Sequence, residues 1–406
     1  MNQLFVGIDV GSRGNAVYIM LPNGEKYSSF SVQNDLGGAQ TISKRIVAAL
    51  EKLQLNDIRI GMEATSVYGE PLVCFLREDG ALAKFNRNIH VLNPKQVSKF
   101  KKAYAELPKT DDVDAFVVAD NLRFGRITAA VYMDDYRHQA LRSLTRARFF
   151  AVQNLTREKQ RYLNYLFMKC SGLAQSKVFS DNFGATAIAT VEAFDTPDDI
   201  ANMDLDELTA FISEKGKNRF PNPDAIAQAV QAAAKGSYRL PKTIADSVNQ
   251  VLSISVSSIR AIQSQIKALE KEIEKQISTI PNTLTSVRGI GPVFSAGIIA
   301  EIGDINRFKD HPSLAKFSGL AWSRHQSGTF EAQHTKLIRS GNRFLKAYLC
   351  EAAFSLVRCD TEFKRFYDLK YNEVNKHQHK RALALTARKL VRLVFRLLKD
   401  NRLYIS

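Results

Sequence analysis

The sequence predicts an α/β domain over residues 1–135, then a mostly helical remainder that divides into a helical insertion with a coiled coil (136–280) and a C-terminal helical domain (281–406). Three observations carry this. Two short apolar runs carry an acid at their ends, Asp9 in 4–11 (before Val10-Gly11) and Glu63 in 58–63, as central strands of an α/β sheet do when their ends build a site. From about Asp135 the apolar residues change to helical spacing: Leu141, Leu144, Phe149, Val152, Leu155, Tyr162 and Leu166. A chain of 406 residues also exceeds what one ordinary core holds.

In chain order, Leu4-Phe5-Val6-Gly7-Ile8-Asp9-Val10-Gly11 reads as a buried strand, residues 15–20 as a second and, past the Pro22-Asn23-Gly24 turn, 26–32 as a third. A helix over 38–53 precedes the strand Ile58-Arg59-Ile60-Gly61-Met62-Glu63. A helix from about Gly69 and a short strand at 89–92 follow. Thr110 then caps a helix that opens on Asp111-Asp112-Val113-Asp114 and continues as an apolar run. Residues 179–238 are locally acidic, with short helices at 204–212 and 223–234 and no readable role. Ile259, Ile262, Ile266, Leu269, Ile273 and Ile277 form a heptad seam. It fits either pairing with the 141–166 helix or a dimer seam, and the dimer is the expectation adopted. From residue 380 an amphipathic helix offers a basic face.

The composition, 45% hydrophobic and 24% charged, is that of a globular protein, and the net charge of +16 points to a polyanionic partner such as nucleic acid. Cys74, Cys170, Cys350 and Cys359 are scattered without a Cys-x-x-Cys pair, which argues for reduced thiols and against a zinc site. No run reaches the ~20 apolar residues of a membrane span, and the N-terminus carries no export signal.

Asp111 and Asp114, three apart on one helix face, repel each other unless a cation lies between them. Magnesium is the natural ion for such oxygen donors. Taken singly, the pair also serves to complement a helix N-terminus, and Asp9 and Glu63 read as hydrogen-bonded strand-end carboxylates. Together they feed one sheet edge.

The Asp9 strand, Met62-Glu63-Ala64-Thr65 and Lys109-Thr110-Asp111-x-x-Asp114-Ala115 resemble the acidic tetrad of a RuvC-like, ribonuclease H-like nuclease domain. Their order and spacing are similar to those of the DEDD transposases, the bridge-RNA-guided insertion-sequence recombinases related to Piv DNA invertases. A phosphate loop like that of actin-like kinases is also suggested by Gly7-Ile8-Asp9-Val10-Gly11-Ser12. That alternative needs a second glycine motif that Gly289-Ile290-Gly291-Pro292 is too short to supply.

Val287-Arg288-Gly289-Ile290-Gly291-Pro292 before an apolar helix has the look of a helix-hairpin-helix, with Arg288, Gly289 and Gly291 as candidate nucleic-acid contacts. Phe317-Ser318-Gly319-Leu320-Ala321, Gln326-Ser327-Gly328 and Arg339-Ser340-Gly341-Asn342-Arg343 resemble the C-terminal transposase signature, adding Lys336, Arg339, Asn342 and Arg343 as candidate contacts. The resemblance makes Ser327 the nucleophile, with Ser340 and Ser323 as decoys and no local His-Asp pair to activate it. It further implies one or two Mg²⁺ ions on Asp9, Glu63, Asp111 and Asp114, a phosphoserine-linked DNA intermediate, and donor and target duplexes read by a structured guide RNA. It implies sites shared between protomers of a dimer or tetramer in the bacterial cytoplasm. A RuvC-like nuclease using water and a non-catalytic nucleic-acid scaffold are the competing expectations.

Overall fold

The computed structural model describes the chain except residues 1–2, 65–66, 105, 126–134, 323–325, 328–329, 332–336, 339 and 406; the side chains of 326, 327, 330 and 331 also lie outside the description. The chain forms two compact units, Met1–Asp134 and Asp135–Ser406.

The first unit is built on a mixed sheet of β1 (Gln3–Val10), β2 (Gly14–Met20), β3 (Lys26–Gln33), β4 (Asp57–Glu63) and β5 (Asn86–Leu92), in the order β3-β2-β1-β4-β5. β1, β2 and β3 are antiparallel neighbours, while β4 and β5 run parallel to β1. A mixed α/β sheet with the two acid-bearing strands side by side is what the apolar runs led one to expect. α1 (Leu36–Leu53) and α2 (Glu70–Glu78) cover one face, where Ile8, Val17, Ile42, Ile46 and Ile60 close a core. α4 (Asp111–Phe124) covers the other against Phe5, Tyr18 and Met20. Between β5 and α4 lies α3 (Pro94–Lys101), a helix the sequence reading did not foresee. Its basic composition buries only Val97.

Two glycines determine how close α4 comes. A Cβ on Gly7 would lie 2.0 Å from the Ala115 carbonyl oxygen, and one on Gly61 would lie 2.9 Å from a Leu122 methyl. With no side chain on Gly7 the helix backbone lies directly on β1, and the bare Gly61 leaves room on β4 for the Leu122 side chain.

The second unit is helical. α5 (Tyr136–Lys169) and α11 (Lys242–Ile277) lie along each other, each over about 50 Å. Between them in sequence come α6 (Ser171–Gln175), α7 (Ala185–Ala193), α8 (Pro197–Ala201), α9 (Leu205–Lys215) and α10 (Pro223–Lys235), so the acidic stretch folds as a small helical body around Leu208, Ile212, Ala227 and Val230. α12 (Pro292–Ile302), α13 (His311–Phe317), the strand pair β6 (Gln326–Ser327) and β7 (Phe330–Glu331), α14 (Arg343–Cys359), α15 (Thr361–Asn372) and α16 (Gln378–Asp400) follow. Their core takes in Leu141 from α5 and Ile273 and Ile277 from α11. No helix among the described residues is long and apolar enough to cross a membrane.

Two expectations change here. Both ends of the heptad edge are covered within the chain: Ile259, with Val248, Leu252 and Val256 before it, packs with Tyr162 and Leu166 of α5, Ile273 and Ile277 join the C-terminal core, and Ile262, Ile266 and Leu269 are half-buried. Arg148 pairs with Glu270 at 2.8 Å, and the buried Ser255 hydroxyl donates to Glu158 at 2.7 Å, fixing that register. The ends of the seam thus pair within this chain, the alternative to a dimer that the heptads also allowed. The segment before Gly289 is a single 3₁₀ turn, Leu284–Ser286, in place of the first helix of a helix-hairpin-helix.

Candidate active site

Strand register assembles the first half of the site. Ile8 pairs with Met62 across β1 and β4, so Asp9 and Glu63 stand one step further on, side by side at the ends of parallel neighbours. Side chains alternate along a strand, so Asp9 shares the face of Gly7 and Glu63 that of Gly61, the face on which α4 lies. The first turn of α4 supplies the second half. Thr110 caps it, accepting from the Val113 amide at 3.3 Å, and places Asp111 and Asp114 over the strand ends.

The electrostatics show that these acids act on one another. Burial, then the charges of Asp114 and Asp111, raise the Asp9 carboxyl above its ordinary value. Burial, then Asp9 and Asp114, do the same for Glu63. Lys101 opposes both shifts. Asp112, the extra acid of the motif, points elsewhere: Lys26 stands 3.8 Å from it, and its charge reaches Tyr18. The three-residue spacing, not the adjacent pair, thus defines the cluster.

The four carboxylates do not close around an ion as they stand. Among the described residues, no group of three or more Asp, Glu, His or Cys side chains is gathered tightly enough to hold a metal. Instead the Lys101 ammonium lies 2.6 Å from Asp114 Oδ1 and supplies the positive charge. In chemistry the donors suit a hard divalent cation, being carboxylate oxygens whose mutual repulsion a cation relieves. Sequence reading missed Lys101, whose signal was the basic run Lys99-Phe100-Lys101-Lys102 shortly before the acids. It also missed the glycine two places before each strand-end acid, in Gly7-Ile8-Asp9 and Gly61-Met62-Glu63.

In the second unit the transposase-like motifs meet. The Asn342 amide donates to the Phe317 carbonyl at 2.7 Å, Ile338 to Ala321 at 2.9 Å, and Trp322 bridges to Leu337. Gly319 and Gly341 both adopt positive φ, 74° and 133°, and a Cβ on Gly341 would lie 2.4 Å from the Gly319 amide nitrogen. From this junction springs the segment bearing Ser327, whose backbone pairs with Phe330 across β6 and β7. The Ser327 side chain, Ser323, His325, His334, Lys336 and Arg339 lie outside the described residues. Arg343 is exposed, as are Ser340 and Arg288. Gly289 has φ 101° and sits against Cys359, while Gly291 caps α12 with open space around it. Asn342 is occupied within the protein: its Oδ1 accepts from Phe344 and Leu345 at 3.0 Å, and its Nδ2 donates to Glu301 Oε2 at 2.6 Å. Arg142, Arg146 and Arg148 on α5 likewise donate within the protein, to the Ala300 carbonyl, Glu301 and Glu270.

Comparison with known proteins places both units. A family model for the DEDD transposases of IS110 type matches residues 6–168, and one described as "Transposase IS116/IS110/IS902 family" matches 282–368. A 44.8 kDa protein of insertion element IS116 from Streptomyces clavuligerus is 26% identical over 99% of this chain and 96% of its own. A 43.6 kDa protein of IS110 from Streptomyces coelicolor is 23% identical over 99% and 96%. Among solved structures, Thermus thermophilus RuvC matches with a TM-score of 0.24 and 15% identity, over 32% of this chain and 99% of its own. The chain belongs to the DEDD transposase family of the IS110 and IS116 insertion elements.

Proposed function

We propose that this transposase cleaves and exchanges DNA strands with a divalent-metal site formed by Asp9, Glu63, Asp111 and Asp114 and with Ser327 as nucleophile. The observation that carries the reading is the convergence of two strand-end acids with the first turn of α4, the charges of Asp114 and Asp111 adding to burial in raising Asp9 and those of Asp9 and Asp114 in raising Glu63. Mg²⁺, bound there as one or two ions, would neutralise the scissile phosphate and lower the cost of charge developing on it.

The remaining work falls to the chain's own groups. The Ser327 hydroxyl attacks phosphorus, a Ser–O–P bond forms, the backbone P–O bond breaks, and the proton lost by the serine is balanced by the one the departing sugar oxygen takes up. The number of phosphate ester bonds is unchanged, so a second sugar hydroxyl can reverse the attack and complete exchange. The Gly319–Gly341 junction holds both ends of the segment that presents the serine. By resemblance, the acids of one protomer serve the serine of another in a dimer or tetramer. A structured RNA pairs with donor and target, held by shape and phosphate contacts from the basic surface.

Covalent trapping tests this. With Mg²⁺, labelled element-end DNA and the RNA transcribed beside the gene, wild type should give a denaturant-stable protein–DNA adduct. Ser327→Ala and Asp111→Ala should abolish it, and Ser340→Ala should keep it. Cleavage that survives Ser327→Ala would identify water as nucleophile. Activity untouched by Asp111→Ala would leave only a binding scaffold.

A further inference from the structure

Beside the Ser340–Arg343 loop, the second unit carries an aromatic surface that neither the acids nor the serine requires. Phe149 and Phe150 on α5 and Phe344 on α14 contact one another edge to face, with ring centres 5.0–5.7 Å apart. Phe150 is 42% exposed, unusual for a phenylalanine on a helix with a core available to it. The Arg343 guanidinium lies over both Phe150 and Phe344, at 5.4 and 4.8 Å from the ring centres, and is itself exposed. Phe149 also lines an open groove of about 370 Å³ with Val152, Thr156 and the exposed Arg157. The acid in that groove, Glu351, faces Arg148 at 3.7 Å.

The surface is rigid before any partner arrives. Arg146 stacks on Phe344 at 4.6 Å while its guanidinium is held by both oxygens of Glu301, at 2.7 and 2.9 Å. Glu301 is only 2% exposed, and its Oε2 also takes the Asn342 side chain that caps α14. A buried carboxylate thus clamps the loop, the helix start and the aromatic group together.

An exposed aromatic face flanked by arginines and opening on a groove has the chemistry of a stacking platform: every nucleobase has a π-face, and the arginines meet the adjoining phosphates. A paired base in a duplex offers no free face. We propose that Phe150, Phe344 and Arg343 stack an unpaired nucleobase of a single-stranded segment, whose backbone follows the Phe149–Arg157 groove. The platform is independent of the metal site.

Fluorescence anisotropy with the full chain, in EDTA, tests it with labelled dT20, labelled rU20 and a 20-base-pair duplex over a range of salt. Phe150→Ala should weaken single-strand binding about tenfold, the loss of one stacked base, without changing the salt slope or duplex binding. Phe150→Trp should restore it, and Arg343→Ala should reduce the salt slope by about one phosphate contact. Equal effects on dT20 and rU20 identify the base alone as ligand, while an effect confined to rU20 identifies an RNA strand. The proposal fails if Phe150→Ala weakens duplex and single strands alike, or neither. It fails equally if that variant alters the mass seen by light scattering, which would make the face a contact between copies of this chain.

Discussion

Replacing Gly7 by alanine should strike directly at the seat of α4 on β1. The added Cβ would lie 2.0 Å from the Ala115 carbonyl oxygen and 2.4 Å from the Ala119 amide nitrogen. Ordinary contact begins near 3.4 Å, so α4 must retreat by about 1.4 Å along its whole bearing on β1. Both opposing atoms are main chain, so no rotamer change relieves the clash, and Ala115→Gly should not rescue it. Overpacking of this kind costs about 3 kcal/mol or more, the upper end of its range. The same retreat withdraws Asp111 and Asp114 from Asp9 and Glu63. Urea unfolding of the full chain, with hydrogen exchange at β1 and α4 amides to isolate the first unit, measures the effect. Gly291→Ala is the control: nothing lies within 4 Å of its Cβ position and φ is an ordinary −74°, so it should stay within about 0.5 kcal/mol of wild type. If Gly7→Ala behaves like that control, with α4 protection unchanged, the close seat of α4 on β1 is not what positions the acids.

Three further outcomes follow from the same contacts. Glu301→Ala should destabilise the second unit by about 3 kcal/mol in urea, because it leaves Arg146 and the Asn342 amide without their buried partner. Asp9 and Glu63 have carboxyls raised above 3.8 and 4.5, so as pH falls the folded chain takes up their protons before the unfolded chain does. Without metal, stability should therefore rise as pH drops from neutral toward those values; Asp9→Asn should be the more stable protein at pH 7.5 in EDTA and show a flatter profile. Lys101→Gln should bind Mn²⁺ up to about fivefold more tightly in calorimetry, since it removes a competing cation whose half-exposed pair is worth at most about 1 kcal/mol. Unchanged affinity with intact binding would remove Lys101 from the site while leaving the metal in place.

How far the sequence was legible depends on which interactions are local. Strand ends at Asp9 and Glu63 and the Thr110 cap are set by patterns a few residues long, and the β1 to β5 elements fall within a few residues of expectation. The short α3 carries one buried residue, too little period to detect, and with it Lys101 was overlooked. Heptads at Ile259 to Ile277 specify an apolar edge but not whose helix covers it, and only the Arg148–Glu270 and Glu158–Ser255 pairs decide for α5. Asn342 follows a polar, glycine-containing loop and looked like a ligand contact. Its place just before the apolar start of α14 is equally the mark of a helix cap, which is what it is. Four acids in sequence define donors, whereas their closure around an ion depends on a charge the sequence does not contain.

That closure is best measured by anomalous diffraction from crystals of the full chain soaked in Mn²⁺. The account predicts one or two peaks within about 2.2 Å of carboxylate oxygens from Asp9 and at least two of Glu63, Asp111 and Asp114, with Lys101 withdrawn from Asp114. Saturating Mn²⁺ with no peak there, and the Lys101–Asp114 pair intact, would contradict it.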